Sequence, residues 1–570
     1  MKPESAPKSR THILTIALED YFHAPAFRGV IGKKSWGRLD SRFENNALEA
    51  LDWLARSHSR ATFFVSPWVA RKCPDLLKEI LRRGQEIALS GDGGPGFRTL
   101  SRSDLREKLR RSRAIVEEAC HRRILGYRRS DVFLQPKHLA ALEVLAEEEF
   151  VYDSSLTPTA FAFRRQPWRR FIHQQQFASS SIWEFPISSQ SIGSLMIPFA
   201  GGNYFRQYPE AFVRWAIREW DRVQTEPLVL YFRVWDLDPL HPRINTGSFV
   251  RNMRHYRNSG RMLRTLSEIF SQYRFDSIAG SLQRTQSPAA VHSSVPAGNV
   301  LASGSGGARL PVSVIVPCYN EEASISYLAR SLDELKNNLA GDFAVQLILV
   351  DDGSSDRTWS LLTQYLGSRA DSLLIRHARN LGIAAAIRTG LEHAHEVACS
   401  MDCDCSYDPH ELKPMLGLLS DEIDLVVASP YHPNGRVSNV PAWRIRLSRS
   451  ASFLYRIVTG SRLYTFTSCL RVYRRSAALA TPLRYSGFLG IAELTGKFVL
   501  DGRGVAEHPA TLELRLFGRS KMRIAATIAG HLQLLAGLAW SRLTRSRLSA
   551  PDSATPVQPV GSRAKTPSLS

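Results

Sequence analysis

Residues 345–358 read VQLILVDDGSSDRT. Six uncharged residues run straight into Asp351-Asp352-Gly353. An apolar run of strand length that stops at a glycine-containing polar turn reads as a buried strand and the loop after it. The pattern also occurs at 312–321, where VSVIV leads into Pro317-Cys318-Tyr319-Asn320-Glu321. Further short apolar runs lie at 373–375, 397–401 (VACSM) and 424–428 (DLVVA). Between them, 322–339 and 356–367 carry apolar residues at helical spacing. Strands alternating with helices predict an α/β fold built on a largely parallel sheet. Ligands of such sheets sit beyond the carboxyl ends of the strands. The polar clusters at 317–321, 351–354 and 402–404 fall there.

The chain of 570 residues is long enough for two to four domains. Residues 286–309 are rich in Ser, Gly, Ala and Pro and read as a linker, and 546–570 read as a disordered tail. Two globular halves are left, 10–285 and 310–545. Lys and Arg outnumber Asp and Glu by 74 to 53, a net charge of +21. That balance favours anionic ligands or lipid surfaces. With no zinc-finger spacing, basic zipper or RNA-recognition signature, no nucleic-acid partner is expected. The seven cysteines (73, 120, 318, 399, 403, 405 and 469) are irregularly spaced and odd in number, which speaks for a reducing compartment. The N-terminus, MKPESAPKSRTH, has no apolar run after its charges, so no signal peptide is expected. The segment 524–540, IAATIAGHLQLLAGLAW, is apolar but carries His531 and Gln533 between Arg523 and Arg542. It reads equally as a docked terminal helix or as one lying on a membrane surface. The predicted location is cytoplasmic, with a peripheral contact on the inner face of the membrane through 524–540.

Residues 400–408 read SMDCDCSYD. Asp402 and Asp404, at a strand end, present hard oxygen ligands of the kind that suit Mg²⁺ or Mn²⁺. A cation there would neutralise a diphosphate. Cys403 and Cys405 lack the two-residue spacing of zinc-ribbon or thioredoxin-like pairs, so they read as packing residues beside a carboxylate site.

The ordered set IVPCYNEE, LVDDGSSDRT, RNLGIAAAIRTGL and MDCDCSYDP resembles glycosyltransferase family 2, the inverting GT-A enzymes, over 310–535. RVYRRS at 471–476 and RLFGRSKM at 515–522 narrow the resemblance to the dolichyl-phosphate mannose synthase branch. That resemblance implies a Rossmann-like GT-A domain, a nucleotide-sugar donor and a polyprenyl-phosphate or glycan acceptor. By it, Pro317, Tyr319, Glu321, Val350 and Asp352 bind the nucleotide. Asp402 and Asp404 bind the metal and donor diphosphate, with Asp404 catalytic. Arg515, Ser520 and Lys521 close over phosphate. Where the branch carries Arg before a Tyr, this chain has Pro430 before Tyr431, and Arg436 or Arg444 is expected to supply the charge. A phosphate acceptor is already anionic, whereas a hydroxyl acceptor needs a base, for which Asp408 and Glu493 are candidates.

The first half also reads as α/β, with strands at 13–17, 61–65, 86–89, 184–187 and 228–232 and helices at 74–83 and 136–147. ILTIALEDYFH, LGYRRSD, IPFAGGNYFR and LVLYFRVWDLDPLHPR resemble polysaccharide deacetylases, which implies a deformed (β/α) barrel. In that family an Asp is the base, and an Asp and two His hold a metal. Here the base position is Ala17, the two imidazole positions are Ser90 and Gly94, and the late histidine is Arg233. Without these groups neither a metal site nor a proton shuttle remains. The reading is a deacetylase-like domain without deacetylase activity beside a working transferase used in cell-surface or exopolysaccharide synthesis. The alternatives are a bifunctional enzyme and a non-catalytic glycan-binding scaffold.

Overall fold

The computed structural model describes residues 10–91, 100–129, 140–159, 166–193, 195–285, 309–440, 442–518 and 524–548. The chain divides into two compact units, Met1–Ser305 and Gly306–Ser570. The expected linker (but for Arg309), the tail beyond 548, Gly94, Ser520 and Lys521 lie outside the described residues. The final helix, Ile524–Leu548, runs past the expected domain end at 545.

In the second unit the strands assemble in the order Ser372–Arg376, Phe343–Asp351, Leu310–Cys318, Val397–Ser400, Arg471–Arg474, Leu425–Ser429, Val505–Pro509. All neighbours are parallel except around Arg471–Arg474, which is antiparallel to both strands beside it. Successive residues of the central strands serve opposite faces, as the pleat requires. Val314, Val316, Leu347 and Leu349 pack with Leu328, Leu332 and Leu362 of the helices Ile325–Leu339 and Thr358–Leu366. Ile315, Ile348 and Val350 pack on the other side with Ile387 and Phe498 of Ile383–Glu392 and Phe488–Leu500. The sheet is thus buried on both faces, which is why its strands read as near-continuous apolar runs. Its order reverses between Leu310–Cys318 and Val397–Ser400, and that crevice is the place where such sheets bind ligands.

The first unit is an open sheet in the order Val229–Arg233, Thr11–Leu18, Thr62–Val65, Glu86–Ser90, Gly126–Arg128, Tyr152–Asp153, Ser181–Glu184, His173–Gln176, with Arg274–Asp276 also on Thr11–Leu18. No described ladder joins His173–Gln176 back to Val229–Arg233, so the sheet is a half-barrel, in line with the deformed barrel expected. The far edge is His173–Gln176, HQQQ, whose alternate side chains are exposed. The strand expected at 184–187 lies instead at Ser181–Glu184. Its Glu184 is fully buried, a placement that no apolar pattern announces.

Candidate functional site

Three loops meet at the carboxyl edge of the second sheet. The loop after Leu310–Cys318 is stitched to the one after Phe343–Asp351. The Asn320 N–H donates to the Ser354 hydroxyl at 2.8 Å, the Glu321 N–H to the Thr358 hydroxyl at 2.7 Å, and the Ser355 N–H to Asn320 Oδ1 at 2.8 Å. Gly353 makes the turn with φ of +71°, and a Cβ there would sit 2.4 Å from the Arg379 carbonyl carbon. Only glycine fits that position. Asp352 then ties in a third segment. Its carboxylate accepts from His377 Nδ1 at 2.7 Å, the Leu381 N–H at 2.9 Å and the Gly382 N–H at 2.8 Å.

Asp402 and Asp404 follow Val397–Ser400. The Ser406 N–H and hydroxyl hold Asp404 Oδ1 at 3.0 and 2.5 Å, and Arg515 Nε lies 3.4 Å from its Oδ2. Arg515 also pairs with Glu321 and donates to the Phe517 carbonyl at 2.7 Å. One guanidinium therefore joins two acidic loops. Burial and the neighbouring Asp404 push the Asp402 carboxyl up to about 7. A site whose carboxylates resist ionisation together is one that a bound cation stabilises. Asp402 and Asp404 fit Mg²⁺ or Mn²⁺ as two hard oxygen ligands, the remaining positions falling to water and phosphate oxygens. The described residues hold no cluster of three or more His, Cys, Asp or Glu poised for a metal. Cys403 is buried, and its hydrogen bond with Cys318 together with that burial holds the thiol well above its ordinary range, so it stays protonated.

The other expected residues divide. Tyr319 is 37% exposed. Pro317 and Val350 are buried, Val350 within the core on the Ile348 side. Glu493, expected as a base, is corrected. It is 2% exposed, accepts from the Arg484 N–H at 2.9 Å and the Tyr485 N–H at 3.0 Å, and pairs with Lys497 at 2.7 Å. It pins the chain ahead of its own helix and is no base. Glu493→Gln is expected to lower stability by roughly 1.5–3 kcal/mol, the loss of charge-assisted hydrogen bonds, with turnover unchanged. Denaturant unfolding beside a transfer assay checks this, and a hundredfold fall in turnover of the folded variant would return Glu493 to the chemistry. Asp408 caps the short helix Pro409–Glu411, accepting from the His410 N–H at 3.1 Å and pairing with His410 Nδ1 at 2.9 Å. This too is a structural role.

From Asp402, Asp404 and Arg515 a cleft of about 390 Å³ runs between the helices Ala442–Thr459 and Ile524–Leu548. Its far part is lined by Trp443, Leu454, Ile528, Leu532 and Leu535. Tyr455 and His531 Nδ1 share a hydrogen bond of 2.8 Å across the helix pair, and Arg542 donates to the carbonyls of Ile457 and Val458 at 3.1 and 2.9 Å. The sequence reading missed Ala442–Thr459 as the second wall. Its signal was the apolar spacing of Trp443, Phe453, Leu454 and Ile457, obscured by four interspersed arginines. The reading also missed Arg449, whose guanidinium lies 5.3 Å from the Tyr431 ring. Arg436 lies in the small ladder with Thr511, and the Arg444 side chain is outside the described residues.

In the first unit the positions matching a deacetylase site do converge at strand ends. Ala17 stands opposite Arg233 and Ser90 opposite Arg128. Arg233 Nε lies 3.2 Å from Glu19 Oε2. Asp20 accepts from Ser41, the Arg42 N–H and the Tyr21 N–H at 2.8–3.0 Å, and burial pushes its carboxyl up to about 6.

Residues 313–480 match the model for glycosyl transferase family 2, residues 37–131 that for polysaccharide deacetylase, and residues 154–283 a domain of unknown function. The chain is 30% identical over 217 residues to polyprenol monophosphomannose synthase of Mycolicibacterium smegmatis, covering 37% of this chain and 80% of that one. It is 29% identical to dolichol-phosphate mannosyltransferase of Pyrococcus furiosus, covering 38% of this chain and 60% of that one. Among solved structures, one named "putative polysaccharide deacetylase from Mycobacterium smegmatis" matches at 17% identity and TM-score 0.33, over 52% of this chain and 98% of that one. With a deacetylase-like region ahead of its transferase unit, the chain belongs to glycosyl transferase family 2.

Proposed function

We propose that the second unit transfers a sugar from a nucleotide diphosphate-sugar to a polyprenyl phosphate at a membrane surface, as a step of cell-surface or exopolysaccharide synthesis. The observation that carries this is the cleft. It joins a carboxylate pair and a guanidinium, suited to a diphosphate, to an apolar channel between two helices, suited to a long hydrocarbon chain. The relatives support the same reading, since their names pair polyprenol or dolichol phosphate with mannose.

Asp402 and Asp404 would hold Mg²⁺ or Mn²⁺, which when bound supplies Lewis-acid neutralisation of the donor diphosphate. Tyr319 offers an exposed ring beside the nucleotide, and Asp352 acts mainly by fixing the loop at 381–382. Arg515 is bound by Glu321 and Asp404 and is positioned to exchange those partners for phosphate oxygens. Ser520 and Lys521 follow it in the chain and are assigned to the same phosphates. The acceptor oxygen is anionic at neutral pH and attacks the anomeric carbon in line, breaking the bond from that carbon to the donor's diphosphate oxygen, so that the nucleoside diphosphate leaves with the electron pair and the configuration inverts. It requires no base, in keeping with the structural roles of Asp408 and Glu493. Arg449, beside Tyr431, is assigned to the acceptor phosphate.

The first unit is assigned no deacetylase chemistry, because Ala17, Ser90 and Arg233 stand where the family has its base, one imidazole ligand and the late histidine. No described helix is long and apolar enough to cross a membrane. The contact with lipid is therefore assigned to the outer faces of Ala442–Thr459 and Ile524–Leu548.

The test is incorporation of label from a panel of nucleotide sugars into undecaprenyl phosphate in vesicles, with Mg²⁺ or Mn²⁺. One donor is expected to give a lipid-linked sugar. Transfer to a soluble glycan alone, or to no acceptor with any donor, would overturn the reading.

A further inference from the structure

Arg128 ends the strand Gly126–Arg128 and is 5% exposed. It forms no ion pair with any described residue. One of its nitrogens, Nη1, donates over long distances to two hydroxyls, Thr15 at 3.3 Å and Ser154 at 3.4 Å. Its guanidinium carbon stands 3.7 Å from the centre of the Tyr231 ring. Nearby carboxylates are committed elsewhere. Glu19 pairs with Arg233, and Asp236 with Arg206 at 3.2 Å. Asp153 takes the Ser155 N–H and hydroxyl at 2.8 Å, and Glu184 takes the Leu156 N–H at 3.0 Å. The charges of Asp153 and Glu19 reach Arg128 without a direct ion pair, and a buried cation lacking a contacting anion is a costly arrangement that a bound anion would relieve. Burial accordingly pulls the Arg128 pKa down.

The surroundings suit a sugar. Gly201 is bridged to Tyr231, and the Tyr204 ring lies over Gly201, 3.2 Å from where a Cβ would stand. Tyr204 is stacked with Tyr208 at 5.8 Å. Aromatic faces beside a guanidinium recognise a pyranose that carries a negative group. Ala17 bears on why the cation has no ion-pair partner among the described residues. It lies two residues after Thr15 on one strand, so its side chain points to the same face as the hydroxyl that receives Arg128. A carboxylate at 17 would stand beside the guanidinium, and the methyl group leaves that place open.

We propose that the ends of Thr11–Leu18, Gly126–Arg128 and Val229–Arg233 form a metal-independent binding site for an oxyanion borne on a sugar, with Arg128 its anchor and Tyr204 its stacking face. Carboxylate and phosphate share the needed chemistry, so the ligand is a uronic acid residue or a phosphosugar. The site belongs to the first unit, and the proposal stands apart from the transferase reading.

Calorimetric titration of the full chain with tetragalacturonate, glucose 1-phosphate, maltotetraose and inorganic phosphate, in EDTA, is the test. One of the two charged sugars is expected to bind and to identify the source of the anion. Both Arg128→Gln and Ala17→Asp should weaken that binding about tenfold or more, the effect of losing a charge-assisted hydrogen bond. Ala17→Asp supplies an internal carboxylate, so its Tm is expected to equal or exceed that of the parent. If Arg128→Gln fails to fold, Ala17→Asp decides alone. No binding, binding untouched by Ala17→Asp, or equal binding of maltotetraose or of inorganic phosphate would overturn the proposal.

Discussion

Asp404→Ala is expected to reduce sugar transfer on the order of a thousandfold or more, with the fold intact. The size follows from how many groups depend on one carboxylate. Ser406 fixes Asp404 Oδ1 through two hydrogen bonds, so the other oxygen is aimed rather than free. That oxygen faces Arg515 Nε at 3.4 Å, and Arg515 in turn reaches Glu321 on another loop. Removing the carboxylate takes away a cation ligand and releases the guanidinium from its place. It also removes the charge that helps raise the Asp402 pKa, so the remaining acid ionises more readily but alone. One carboxylate cannot place a divalent ion against a diphosphate with the same rigidity. The measurement is initial rate at saturating donor, with near-ultraviolet circular dichroism and Tm as fold controls. A folded variant within fivefold of the parent would remove Asp404 from the chemistry and with it the reading of 400–408.

The second sheet was legible because its strands are buried on both faces. VSVIV and VQLILV need no partner to be recognised, and the polar residues after them mark the binding edge. The strand Arg471–Arg474 was not legible. Its sequence, RVYR, has the look of an exposed segment, yet Arg471 is fully buried and donates to the carbonyls of Ser468 at 2.6 Å and Phe466 at 2.8 Å. A buried arginine that satisfies loop carbonyls leaves no trace in hydropathy. Glu493 was misplaced for a related reason. An acid among apolar residues reads either as exposed or as chemically special, and its real partners are two N–H groups eight and nine residues upstream. The carboxylate pair was legible by its spacing. The cleft beside it depends on two helices more than seventy residues apart, and no local pattern reports that they meet.

Phe453→Asp combined with Trp540→Asp is expected to abolish vesicle binding, by about a hundredfold or more, and transfer to vesicle-borne polyprenyl phosphate with it. Both residues sit on the helices that form the cleft but outside its lining. Phe453 is 59% exposed, Ile457 58%, Trp540 70% and Leu543 60%. Four large apolar side chains exposed on two neighbouring helices are unusual on a surface that meets only water. Burying one such side chain in an apolar phase contributes about 1.5–3 kcal/mol, so losing two accounts for a hundredfold effect. Exposed Arg446, Arg449 and Arg542 lie on the same helices and add attraction to anionic headgroups. Binding should therefore be tighter to vesicles containing phosphatidylglycerol than to neutral ones and should weaken with salt. Hydrolysis of the donor in water should remain near the parental rate, since neither residue reaches Asp402 or Asp404. This separation of the two readouts tests the arrangement itself. If the doubly substituted protein still transferred to membrane-borne acceptor at the parental rate, these helix faces would not be the route by which the lipid enters the cleft.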